Sequence, residues 1–163
     1  MKWLIIILAI LALLILVILI IGKLLPSKHT VFQEQEFKTS RAILWKSIRN
    51  FKDYPQWRTK LKKLTVIDET QWTEVDNRGD SITFGIIEAD VENRLAVKIM
   101  DETLPFGGTW VYELNGTDNS VTLKITENGE VYNPIYRFIG YFFMDQSATI
   151  KQYLNDLTSH INS

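Results

Sequence analysis

Trp3 to Ile21, WLIIILAILALLILVILII, is an uninterrupted apolar run with no charge, Gly or Pro in it. As a helix it spans roughly 28 Å at about 1.5 Å per residue, close to the hydrocarbon thickness of a bilayer. Lys2 and Lys23 bracket it. The rival reading is a cleaved signal peptide, whose apolar region usually covers about 7–15 residues and ends in small residues. Here the run ends in Ile20-Ile21-Gly22-Lys23-Leu24-Leu25, with no A-x-A pattern. An uncleaved single-pass anchor over residues 1–23 is therefore expected, with residues 24–28 as a linker and 29–163 as the folded domain. So short a linker keeps the domain beside the membrane surface. Lys23, Lys28, Lys38 and Arg41 follow the run and only Lys2 precedes it. The positive-inside rule then favours a cytoplasmic domain, although Lys38 and Arg41 fall within its first elements.

The whole chain has 163 residues, room for one ordinary domain after the run. Its formal net charge of −1 argues against a nucleic-acid partner, which calls for a basic stripe. There is no Cys, which excludes disulfides, thiol nucleophiles and thiolate metal sites. The two histidines, His29 and His160, stand outside any metal-ligand spacing, and no cofactor is implied.

After the run, His29 to Lys38 has strand composition. Ser40 suits the N-cap of a helix over Arg41–Phe51, where Ile43, Leu44, Ser47, Ile48 and Phe51 form a stripe. KDYPQWRTKLK reads as a turn or short second helix, with Pro55 disfavouring an α conformation at Tyr54. A series of strands follows: KLTVID, QWTEVDN, SITFGIIEAD, RLAVKIMDE, TWVYELN and SVTLKITENGEVY. Turns are expected near Glu69-Thr70, Arg78-Gly79-Asp80, Glu92-Asn93, Pro105–Gly108 and Asn115-Gly116.

Asn133 then suits an N-cap and Pro134 a first helical turn. Ile139, Phe143, Ile150, Leu154, Leu157 and Ile161 follow helical spacing, with Ser147 on the same stripe, so one long helix to about Ile161 is expected. Arg137, Asp145, Lys151 and Asp156 interrupt it, which excludes a second membrane span. Gly140 marks a kink or a close approach to the sheet. The pattern is α+β, with the terminal helix as the large element available to cover a one-faced antiparallel sheet.

Two stretches carry a family resemblance. The first is FKTSRAILWKSIRNFKDYPQW, whose Asn50–Trp57 resembles a "DFxxYPxW" segment. The second is GGTWVYEL…VTLKITENGEVYNPIYRFIGYFF…TIKQYL. They resemble the SRPBCC superfamily (START-like, Bet v 1-like, polyketide cyclase/dehydrase-like) over roughly Ser27–Ile161. The second is similar to a bacterial branch that often carries an N-terminal membrane helix. The resemblance implies a helix-grip fold, a curved antiparallel sheet around a long C-terminal helix, with a hydrophobic cavity between them. It implies a lipid-like or other hydrophobic small molecule as partner. It carries no shared catalytic set, so a cyclase label says little here.

The candidate lining residues are Phe84, Ile99, Trp110 and Tyr112 on the sheet and Phe138, Ile139, Phe142, Phe143 and Ile150 on the helix. Glu88, Asp101 and Glu127 each continue an apolar alternation. If the phase holds, each faces the concave side as an acid or polar anchor; a bulge or strand end puts it in water or on a backbone amide instead. An enzyme using one of these carboxylates or Tyr112 is the alternative to a carrier, and a packed interaction module is a third. Arg78-Gly79-Asp80 is explained by a turn without adhesion, and Asn115-Gly116-Thr117, formally a glycosylation acceptor, by hairpin chemistry.

Overall fold

The computed structural model describes residues 2–117 and 119–163. Helix α1 (Lys2–Leu24) leads into β1 (Lys28–Phe37), α2 (Arg41–Arg49), a 3-10 turn (Phe51–Asp53) and α3 (Tyr54–Trp57). Six strands follow: β2 (Leu61–Val66), β3 (Gln71–Asp76), β4 (Ser81–Asp90), β5 (Arg94–Ile99), β6 (Phe106–Thr117) and β7 (Ser120–Val131). The chain closes with α4 (Pro134–Phe143) and α5 (Ala148–Ile161).

The seven strands form one antiparallel sheet in the order β1-β7-β6-β5-β4-β3-β2. The first strand pairs with the last, so the helical segment after β1 must cross the sheet to begin β2. Cross-strand partners share a face, which puts Phe37, Val121, Leu123, Ile125, Tyr112 and Leu95 on one buried side. Helix α5 lies over that side with Ile150, Tyr153, Leu154 and Leu157 turned inward. From α2, Leu44 and Ile48 complete the core.

Local chemistry explains most boundaries. The Ser40 hydroxyl accepts from Ile43 N at 3.3 Å and the Asn133 side chain from Ile135 N at 2.8 Å, both as N-caps. Asp76 Oδ1 accepts from the amides of Arg78 and Asp80, closing the turn in which Gly79 takes φ +97°. Within α2, Ile43 departs from the expected stripe and faces solvent. Tyr54 is helical despite the following proline (φ −51°, ψ −41°), because it extends the preceding 3-10 turn by bonding Phe51 O. β6 runs through Asn115-Gly116, with Thr117 paired to Ser120, so Asn115-Gly116 continues the strand where a turn was expected, and residue 118 lies outside the described residues.

The expected single terminal helix is two helices. The break is not at Gly140 but at Met144–Ser147, where Met144 is extended (φ −117°, ψ 139°). Asp145 causes it. Its Oδ1 accepts from Ser147 N at 2.9 Å and Ser147 Oγ at 2.7 Å, its carbonyl accepts from Ala148 N, and Oδ2 pairs with Lys151 at 2.8 Å. That set starts a new helix at the cost of continuing the old one. Helix α4 consequently leaves the sheet and packs against α1.

The most apolar 18-residue window of α1 has mean hydropathy 3.9, and none of its residues is fully buried. That is consistent with an anchor or with a signal sequence. Its last turn is fixed to the domain. The Arg137 guanidinium donates to Gly22 O and Leu25 O at 3.2 Å each and to Val131 O at 2.9 Å.

Candidate functional site

The concave face has two unlike halves. Under α5 it is closed. Tyr112 and Tyr153 are 5% and 3% exposed, and their rings meet at 5.7 Å. Trp57 and Tyr54 from α3 pack edge-on against the same Tyr153 at 5.3 and 6.2 Å. Aromatic rings thus fill the space between helix and sheet.

A charge pair sits among these rings. Arg58 Nη1 donates to Glu74 Oε1 at 2.6 Å, and Trp72 Nε1 donates to the same oxygen at 2.9 Å. The Arg58 guanidinium carbon lies 5.1 Å from the Tyr54 ring centre and 5.4 Å from that of Tyr153. Burial disfavours the Arg58 charge, but Glu74 and the tyrosines outweigh it and hold the guanidinium pKa above its ordinary value. Burial pushes the Tyr54 phenol up to about 12 and those of Tyr112 and Tyr153 well above the usual range. Tyr54 Oη donates to Ile48 O at 2.6 Å, and the Tyr153 hydroxyl lies 3.5 Å from it.

The other half of the face is open. Phe84, Ile99 and Trp110, which share the concave face, are only half-buried there. Glu127 stands beside them on β7. Its Oε2 accepts from Trp110 Nε1 at 2.9 Å, and its Oε1 is 3.5 Å from His29 Nε2. Two hollows flank this end. One, of about 270 Å³, lies between Lys28–Thr30, Gly108 and Asn128–Glu130. The other, of about 250 Å³, lies between Lys98–Glu102, Gly107, Gly108 and Tyr132. The glycines make room: a Cβ on Gly129 would collide with the His29 ring.

This architecture is shared with solved structures. The chain superposes on a START superfamily protein from Mycobacterium smegmatis with TM-score 0.65 and 14% identity, over 82% of this chain and 97% of that one. The fold is START-like. Norcoclaurine synthase from Thalictrum flavum shares the START-like fold at TM-score 0.68 and 12% identity, over 88% of this chain and 91% of that one. The same synthase in complex with dopamine and hydroxybenzaldehyde matches at TM-score 0.66 and 15% identity, over 88% and 91%. No protein-family model and no curated protein sequence matches the chain.

Of the residues read from sequence as lining candidates, the START-like grip brings together Phe84, Ile99, Trp110 and Tyr112 on the sheet. Ile150 is fully buried in the core beside them. Phe138, Ile139, Phe142 and Phe143 are elsewhere, on α4, with Phe143 75% exposed. The Asp145 turn carries them away from the sheet. The three carboxylates also part company. A bulge between Ile86 and Glu88 reverses the phase of β4, so Glu88 faces the convex side and pairs with Arg94 at 3.1 Å. Asp101 accepts from Thr83 N at 2.5 Å, capping a strand end. Only Glu127 keeps the concave phase.

The Arg58–Glu74 pair escaped the sequence reading. One signal for it was available: Glu74 continues the phase of Trp72 on β3, and so stands as a charge where an apolar residue belongs.

Proposed function

We propose that the protein is a membrane-anchored START-like module that holds an apolar or lipid-like molecule against the concave face of its sheet. One observation carries this reading: the half-buried Phe84, Ile99 and Trp110 form an apolar shelf at the end of the sheet nearest the start of α5. The shelf lies toward the end of the sheet at which α1 and α4 attach, since Phe106 pairs with Val131 and Val131 N bonds Ser27 O at 2.8 Å. A ligand leaving the bilayer therefore has a short path to it. Such sites are mostly apolar, with a few placed polar groups. Here those groups are Glu127 and His29, with Arg58 deeper in the grip.

A second reading, a packed interaction module, draws on the ring-filled space under α5. Native mass spectrometry of the full chain, released from the membranes of its own host, separates the two. A bound small apolar molecule is expected on the parent chain and absent from an Ile99→Arg variant with an unchanged melt. A parent chain that emerges bare supports the packed module. A catalytic version of the site would use Glu127 beside His29 for proton transfer, and turnover lost in Glu127→Gln with binding retained is its signature.

A further inference from the structure

Helix α4 has the composition of a core helix and none of the burial. Ile135, Tyr136, Ile139, Tyr141, Phe142 and Phe143 are all exposed, and no α4 residue is buried. Its single charge, Arg137, is spent on backbone carbonyls of α1 and β7. A helix at a water-facing surface carries its charges outward, and a helix apolar all round belongs in a core or in lipid. So broad an exposed apolar patch marks an interaction surface.

Its neighbour identifies the occupant. On α1 and just past its end, Ile18, Leu19, Ile21, Gly22 and Leu25 are the residues shielded from solvent, at the spacing of one helix face. Helix α4 therefore lies along the last two turns of α1. A Cβ on Gly22 would collide with the Pro134 carbonyl, so the two backbones touch where the helices meet.

We infer that α4 is a second membrane-contact element, lying in the boundary between headgroups and acyl chains beside the end of α1, with the bilayer covering its exposed face. This rests on the reading of α1 as an anchor. The depth agrees: Ile18 to Leu25 spans about 10 Å of helix, and interfacial helices sink about 5–10 Å. The side chains agree as well. Tyr136 and Tyr141 supply the amphipathic rings that settle at headgroup level, and Lys23 marks the water side. A rigid α1–α4 pair fixes the domain's tilt, turning the open end of the concave face toward the lipid.

The chain has no cysteine, so single spin labels are unambiguous. The full chain is reconstituted in equimolar phosphatidylcholine–phosphatidylglycerol vesicles with labels at Phe142→Cys, Phe143→Cys, Leu13→Cys on α1, or Val91→Cys in the exposed turn that follows β4. Collisions with oxygen, which concentrates in lipid, and with a water-soluble nickel chelate are compared. Oxygen should dominate at Leu13, Phe142 and Phe143, and nickel at Val91. If Phe142 and Phe143 behave like Val91 while Leu13 is in lipid, the inference is wrong and the anchor stands. If Leu13 is also aqueous, the anchor fails and takes the inference with it. If the α4 labels are shielded from both reagents and broadened by each other, a second copy of the chain covers α4 and the inference is overturned.

Discussion

Gly22 and Pro134 meet backbone to backbone, with the α-carbon of Gly22 against the Pro134 carbonyl. No side chain at position 22 can rotate out of that contact, because the clash begins at Cβ. The joint between the apolar helix and the domain is therefore a packed interface as well as a linker.

Gly22→Val should force α4 away from α1. Overpacking of this kind typically costs about 1–3 kcal/mol. The loss should appear in a melt of the full chain in lipid as earlier exposure of α4, followed by protease cleavage near Met144. A variant that melts and cleaves like the parent shows that the joint is not rigid.

Glu74→Ala should be the most damaging single change inside the grip. It leaves Arg58 without its partner among aromatic rings. Breaking a buried ion pair costs about 3–5 kcal/mol, and the low end applies because the Arg58 side chain keeps 20% exposure. Arg58→Met combined with Glu74→Leu should recover most of the loss, since a volume-matched apolar pair removes the orphan charge. A double-mutant cycle by denaturant unfolding measures this. Equal losses in the single and double variants would mean that shape, not charge, is what Glu74 supplies.

The buried phenols set an alkaline limit. Tyr54 titrates near 10.0 when unfolded and at about 12 in the fold. A folded pKa raised above the unfolded one gives stability that is complete below pH 10 and falls as pH rises toward 12. Tyr112 and Tyr153 shift in the same direction. Tyrosinate absorbance from these three should appear together with loss of near-UV circular dichroism. Ionisation of all six tyrosines of the chain before any unfolding would show that the cluster is wet.

The strands were legible in sequence because one face of each had to be apolar; Val121-Leu123-Ile125 announces β7 without ambiguity. What was lost was phase. The bulge after Ile86 adds one residue and turns Glu88 outward, and no residue type marks it. The terminal helix misled for a related reason. Ile139, Phe143 and Ile150 keep helical spacing across a break whose cause is a few hydrogen bonds of Asp145. Four of the nine candidate lining residues went with it onto α4, because spacing reports which residues share a face and not what that face meets. Glu74 stood out as a charge in the apolar phase of β3, but its pairing with Arg58 was hidden because the two come from separate elements joined only by the tertiary fold.

The break itself is titratable. Lys151 first, then the Ser147 hydroxyl and amide, hold the Asp145 carboxyl at about 2, below its usual 3.8. A lowered folded pKa gives a contribution that is complete above about pH 4 and is lost as pH falls toward 2. Asp145 is fully exposed, so the effect is local: the turn should loosen while the sheet stays intact. Hydrogen exchange at Gln146–Lys151 should accelerate in that window, with the β7 amides unchanged. Asp145→Asn keeps an acceptor for the Ser147 amide but loses the Lys151 ion pair, so its exchange should be moderately fast and nearly independent of pH. Asp145→Ala removes both, and its turn should exchange fast at every pH. If Asp145→Ala leaves exchange at the turn as slow as in the parent, the hydrogen bonds of Asp145 do not hold the break. The direction of α4 would then have to come from its packing on α1 alone.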